Sequence, residues 1–288
     1  MGSANEQRKR FRALLDAPEI VAAPGASDPL TTRLLERAGF TAVHVSGSVA
    51  HRTSGYSDAG ILTMTEMIYR INAMADVCDL PLIADADTGF GGAVNVVRTI
   101  KEYERAGAAA VHIEDQLTPK RPTHMGMKGA FISDQEMADK IRAAVDTRVD
   151  DDFLVIARCD IPDKQKKLVR LQKCLEAGAD IAWLSGGSVE DTAFYTSNIG
   201  KTPSLGVLPR SLTLKEYQDV GASCAVLPGI LQIAALTAQL SMLEELKKTG
   251  SAQAFLAKQP HIEEMTKFYN QQGADELKRI ESTYGGAG

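Results

Sequence analysis

Short continuous apolar runs alternate along this chain with longer stretches in which apolar positions recur every three to four residues. The runs lie at 20–26, 41–47, 80–84, 109–115, 153–158, 181–186, 204–208 and 224–229. A strand buried on both faces reads as such a run, whereas the intervening spacing suits helices with one apolar face. Helical patterns are clearest at 28–34, 65–77, 93–106, 134–147, 163–178, 214–220 and 230–248, and residues 5–16 form an amphipathic lead-in. Residues 51–58 read as a long polar loop. Alanine-glycine or a near equivalent recurs at 38–39, 106–107, 177–178 and 220–221, where a glycine ends a helix in a left-handed turn. Asp28-Pro29 has the chemistry of a helix start, an N-cap followed by a first-turn proline.

The eight strand-and-helix units predict an α/β fold, a closed TIM-like (α/β)8 barrel. The expected division is 1–250 for the barrel with its N-terminal helix and 251–288 for a helical extension, together one functional domain. That extension lies beyond the eighth unit, where it could pack on a neighbouring subunit.

In such barrels ligands bind at the C-terminal ends of the strands. Four consecutive runs here end in polar residues after apolar interiors: Ser46 and Gly47, Asp85 and Asp87, Glu114 and Asp115, Arg158 and Asp160. Asp85 and Asp87, spaced i, i+2 and followed by glycines, suit a hard cation such as Mg2+, which takes oxygen ligands and retains waters. Arg158 offers a planar fork for a carboxylate. The basic, glycine-containing loop 118–129 has the character of a lid that closes over an anion. His44 shares a strand face with Ser46, and a satisfied structural role is expected for it.

Composition narrows the partners. A net charge of -5 lacks the basic surplus of a nucleic-acid binder, and no stretch approaches the length of a membrane span. The N-terminus has no apolar signal core, so a cytoplasmic protein is expected. Cys78, Cys159, Cys174 and Cys224 have neither zinc-site nor disulfide-scaffold spacing and are expected to be reduced core thiols.

The stretches 45–48 (VSGS), 80–92 (LPLIADADTGFGG), 107–116 (GAAAVHIEDQ) and 155–160 (VIARCD), with Asp58, Lys120, Arg121 and His124, resemble the isocitrate lyase and phosphoenolpyruvate mutase superfamily, and most of all its methylisocitrate lyase branch. The resemblance runs from about residue 10 to residue 185. It implies an (α/β)8 barrel whose last helix is swapped between subunits, a homodimer or homotetramer, and an enolate of a 2-oxo acid stabilised by Mg2+, with Mn2+ as the alternative ion. Carried over by position, Asp85, Asp87 and Glu114 belong to the metal, and Asp58 orients the ion or its water. Ser46, Gly47, Ser48, Thr123 and Arg158 bind substrate, and His124 sits on the gating loop beside them.

The departures are equally specific. Lyases of this group carry a cysteine in the loop where this chain has Pro122. They have a glutamate at Ser185, an asparagine at Val207 or Leu208, and an arginine near Ile233, positions that hold the outer carboxylates of a tricarboxylate. Loss of those groups leaves the metal and 2-oxo acid half of the site. The resemblance therefore implies a lyase for a small 2-hydroxy or 2-oxo dicarboxylic acid, acting by decarboxylation or by retro-aldol cleavage with His124, Thr123 or water in place of the cysteine. The alternatives are carbon-phosphorus chemistry on a phosphonate and a barrel that binds a keto acid without turnover.

Overall fold

The computed structural model describes residues 2–121, 123–184 and 188–285, with the His124 side chain outside that set. Eight parallel strands close into a barrel in chain order. They are β1 (Val21–Ala26), β2 (Val43–Val45), β3 (Leu82–Asp85), β4 (Ala110–Glu114), β5 (Leu154–Arg158), β6 (Ile181–Trp183), β7 (Ser204–Val207) and β8 (Cys224–Leu227). β1 pairs with β8 to complete the ring.

Period-two alternation divides each run between two cores. Val21, Ala23, Ile83, Ala110, Leu154, Ile156, Ile181, Trp183, Leu205, Cys224 and Val226 pack together inside the barrel. Val43, Val45, Leu82, Ala84, Val111, Ile113, Val155 and Ala157 face outward against the helices. The helix α1 (Ala4–Asp16) sends Phe11 and Leu15 into the inner cluster and so closes the N-terminal mouth. Buried Arg8 holds α1 there, donating to the carbonyls of Ala108 and Glu104 and pairing with Asp150. The opposite mouth is left for chemistry.

The surrounding helices are α2 (Pro29–Arg37), α3 (Gly47–Thr53), α4 (Met64–Ala75), α5 (Ala93–Arg105), α6 (Asp134–Thr147), α7 (Lys164–Glu176), α8 (Val189–Asn198) and α9 (Leu214–Asp219). Asp28 caps α2 through the Thr31 amide, as its sequence position predicts. Gly39, Gly107, Gly178 and Gly221 all adopt positive φ at helix ends. Two elements differ from the sequence expectation. The region read as a loop from residue 51 begins as α3, because Ser46 accepts from the Val49 amide and starts a helix with no clear apolar period. Similarly, α8 has no bounds predicted from sequence, since a Ser188 cap rather than an apolar stripe marks it.

The chain divides into two compact units, 1–231 and 232–288. The break falls within α10 (Ile230–Thr249), so most of that helix groups with α11 (Gln253–Leu256), α12 (Ile262–Asn270) and α13 (Ala274–Tyr284). Among the described residues, no helix is long and apolar enough to cross a membrane.

Candidate active site

Strand register sets the site. Asp85 on β3 stands beside His112 on β4, Glu114 beside Arg158 on β5, and Arg158 beside Trp183 on β6. Partners in a parallel ladder point to the same side, here the barrel interior, and the strand ends bring them to the C-terminal mouth.

The two aspartates of the third strand reach the site by different routes. Asp85 ends β3, while Asp87 lies past it with a φ of 48°, a left-handed conformation that is strained for a residue with a side chain. Its amide donates to Asp85 Oδ1 at 2.9 Å, and the Gly47 amide donates to Asp85 Oδ2 at 3.0 Å. The Gly47 amide, expected to meet a substrate carboxylate, is thus engaged by Asp85. Ser46 caps α3, and the Ser48 hydroxyl accepts from Arg52 on the same helix.

A lysine occupies the centre. Lys120 is buried, its ammonium 2.7 Å from Asp58 Oδ1 and also paired with Asp87 Oδ1. Arg158 pairs with Asp160 through two nitrogens, at 2.9 and 2.8 Å, and reaches Glu114 Oε2 at 3.3 Å. Its guanidinium lies 5.0 Å above the Trp183 ring, which holds the fork flat. No hydrogen bond is made by its Nη1 among the described residues. Gln116 donates to Glu114 Oε1 at 3.1 Å.

Burial sets the charges. It pushes Glu114 up to about 8 despite nearby Arg158 and Lys120, and it raises Asp87 as well, though Lys120 opposes the rise. Burial also works against ionised Asp85, but His112, Lys120 and Arg158 outweigh it and hold that carboxyl well below the usual range. Lys120 and Arg158 stay protonated because the carboxylates around them overcome their own desolvation.

A divalent cation suits this donor set. Asp58 Oδ1, Asp87 Oδ1 and Glu114 Oε2 are buried, with Lys120 against the two aspartates, Arg158 against the glutamate and His51 Nδ1 3.7 Å from the Asp58 oxygen. Among the described residues, no three His, Cys, Asp or Glu side chains already stand around one point as a complete ligand group. Lys120 lies between them. A small hard ion that keeps several waters needs only one or two direct carboxylates.

The remaining strand-end residues divide between site and scaffold. Asp115 turns away from the mouth, pairing with buried Arg170 at 2.7 Å and accepting from the Asp160 amide at 2.8 Å. The loop after β4 is tied at its base by the Leu117 amide to Ala130 and a bridge between Gln116 and Phe131. Its tip carries a 3-10 turn, Thr123–Met125, with Thr123 exposed. Pro122 and Ser185 lie outside the described residues. Val207 is a part-exposed apolar side chain at the end of β7.

Residues 11–247 match the family model described as phosphoenolpyruvate phosphomutase. The chain belongs to that family. It is 35% identical to the 2,3-dimethylmalate lyase of Eubacterium barkeri over 96% of this chain and 97% of that protein. A solved phosphonopyruvate hydrolase in complex with oxalate and Mg++ matches with a TM-score of 0.86 and 29% identity, covering 98% of this chain and 99% of that one. An oxaloacetate acetylhydrolase bound to 3,3-difluorooxalacetate matches with a TM-score of 0.89 and 27% identity, covering 99% of each. With a lyase among relatives that span nearly its whole length, this family member is an enzyme, and a lyase in class.

Within the phosphoenolpyruvate phosphomutase barrel, two residues escape sequence reasoning. Lys120 stands among the residues of the resemblance and in a basic loop but is given no role, and nothing local says that its ammonium turns inward. His112 falls inside a matching stretch that assigns it no role, although its period-two spacing from Glu114 marks it as an inward residue.

Proposed function

We propose that this chain is a Mg2+-dependent carbon-carbon lyase for a small 2-hydroxy or 2-oxo dicarboxylic acid, with Mn2+ as the alternative ion. The observation that carries the reading is the convergence of buried carboxylate oxygens from Asp58, Asp87 and Glu114 at one mouth, where only side-chain cations offset their charge. Asp87 would hold the ion most directly, with Asp85 and Glu114 acting partly through water, and Asp58 orienting that water. When bound, the ion would polarise the 2-oxygen of the substrate and stabilise the negative charge that develops there.

The chain's own residues divide the remaining work. Arg158, set flat on Trp183, presents its fork to the substrate carboxylate. Lys120 neutralises Asp58 and Asp87, and it would compete with a cation held by those carboxylates. Ser46, Gly47 and Ser48 shape the turn on which the acid rests, with Gly47 acting through Asp85.

The proton donor differs from that of the cysteine-bearing lyases. Pro122 has no proton to give, and Cys159 cannot substitute, because burial and its contact with Cys174 raise its thiol well above the usual range. Decarboxylation needs no such donor; retro-aldol cleavage would take one from His124, Thr123 or water. The apolar Val207 at the mouth supports a substrate without the outer carboxylates of a tricarboxylate. A homo-oligomer is part of the proposal, since Ile233, Leu236, Leu240 and Leu243 are exposed along α10. Cytoplasmic residence is part of it as well.

The test is incubation of purified protein with oxaloacetate, substituted malates, methylisocitrate and phosphonopyruvate, with and without Mg2+. Metal-dependent release of pyruvate or glyoxylate supports the proposal. Phosphate released from phosphonopyruvate alone would move the chain to carbon-phosphorus chemistry, and silence with retained oxalate binding would make it a non-catalytic keto-acid binder.

A further inference from the structure

Beneath the carboxylates lies a pair of histidines that the proposed chemistry does not use. His44 on β2 and His112 on β4 are both buried, with their Nε2 atoms 3.1 Å apart. His112 Nδ1 lies 3.5 Å from Asp85 Oδ1, a contact longer than a formed hydrogen bond, and neither it nor His44 Nδ1 has a hydrogen-bond partner. Trp183 packs on both rings, 4.5 Å from His112 and 6.0 Å from His44, which prevents either from turning away.

The geometry admits few proton arrangements. Two ring nitrogens at hydrogen-bond distance share one proton, so either His44 donates to His112 or the reverse. If His112 donated, its Nδ1 would present a lone pair to the Asp85 carboxylate, while a proton on His44 Nδ1 would be buried without an acceptor. If His44 donates, the proton on His112 Nδ1 faces the Asp85 carboxylate at 3.5 Å, and His44 Nδ1 is left as a bare acceptor, the cheaper group to bury unpaired. The second order puts a proton, and not a lone pair, beside the carboxylate.

We infer that His112, with its tautomer set by His44, is a positioning residue for Asp85: its Nδ1-H faces the carboxylate and holds it in the orientation that a bound cation requires. The Asp87 and Gly47 amides donate to one Asp85 oxygen each, and His112 Nδ1 stands beside them 3.5 Å from Oδ1. Outer groups that orient a ligand in this way typically govern metal affinity by about 10–100-fold. The inference rests on the proposed role of Asp85 at the metal, although the proton order itself does not.

Two measurements on the full chain separate these points. In protein labelled with 15N-histidine, the nitrogen-to-ring-proton pattern at neutral pH reports each tautomer, with His44→Asn and His112→Asn assigning the signals. Nδ1-H on His112 and Nε2-H on His44 are expected; Nε2-H on His112 would overturn the inference. Mn2+ titration followed by EPR then compares variants. His112→Asn, whose amide falls near the Nδ1 position, should bind within about threefold of wild type, and His112→Leu should lose roughly tenfold or more. Equal affinities for these two variants would reduce His112 to packing. Where His112→Leu does not fold, His112→Gln replaces it, because its amide reaches toward the Nε2 side. Failure of wild type to bind Mn2+ would sink the metal reading, while the tautomer measurement would still decide the proton order.

Discussion

The Gly47 amide donates to Oδ2 of Asp85 at 3.0 Å, and the approach is so close that a Cβ on Gly47 would stand 2.7 Å from that same oxygen. Glycine is required here by its neighbour. Gly47→Ala should therefore push the Asp85 carboxylate out of place without unfolding the barrel. Displacements of this size at a catalytic group cost on the order of 100-fold in rate. Steady-state turnover and thermal unfolding of the variant check this, and unchanged turnover would mean that Asp85 does not need its present orientation.

A divalent cation bound as proposed would compete with Lys120 for the oxygens of Asp58 and Asp87 that the ammonium now meets. Lys120→Met leaves those buried carboxylates without their counter-ion, a loss on the order of 3 kcal/mol when one partner of a buried pair is removed. The metal-free variant should melt lower than wild type, and Mg2+ should raise its melting temperature by more than it raises that of wild type. Equal Mg2+-induced shifts would show that the ion binds elsewhere.

Asp115 and Arg170 form a buried pair at 2.7 Å on the helix side of β4, apart from the mouth. Asp115→Ala strands part of the Arg170 charge, although Asp134 still pairs with it. The expected loss is about 3 kcal/mol of unfolding free energy in urea, with metal affinity within a few-fold of wild type. Loss of metal binding at intact stability would place Asp115 in the site rather than the scaffold.

The histidine pair makes the fold sensitive to acid. Burial lowers His44 to about 3 and His112 to about 4, from ordinary values of 6.5. Between pH 6.5 and 4 the unfolded chain therefore binds more protons at these rings than the folded chain does, and stability falls as pH falls. The loss is about 2 kcal/mol per ring by pH 5. Urea midpoints of wild type at pH 7.5 and 5 should differ by more than those of His44→Asn, and parallel shifts would remove the histidines as the cause.

Much of the barrel is legible in the sequence because its causes are local. Apolar runs make strands, an Asp-Pro pair starts α2, and glycines end the helices whatever the rest of the chain does. The strand-end residues Asp85, Glu114 and Arg158 are legible for the same reason, since alternation along a strand assigns each its side, whereas Asp87 lies past β3 and is placed by its left-handed turn. The start of α3 is not, because a serine cap, rather than periodicity, begins it.

Contacts between strands are beyond any local pattern. The sequence by itself determined eight strands, their order and which side chains face inward. Only the tertiary structure decided that Lys120 folds in among Asp58 and Asp87, that Asp115 serves Arg170 rather than the mouth, and that His44 and His112 meet over Trp183. The physical reason is that these contacts join distant parts of the chain: which residue of β2 stands level with which of β3 and β4 depends on closure of the whole ring. A one-residue slip would turn His44, His112 or Trp183 to the other face, and the loop and helix partners meet only once the ring has closed.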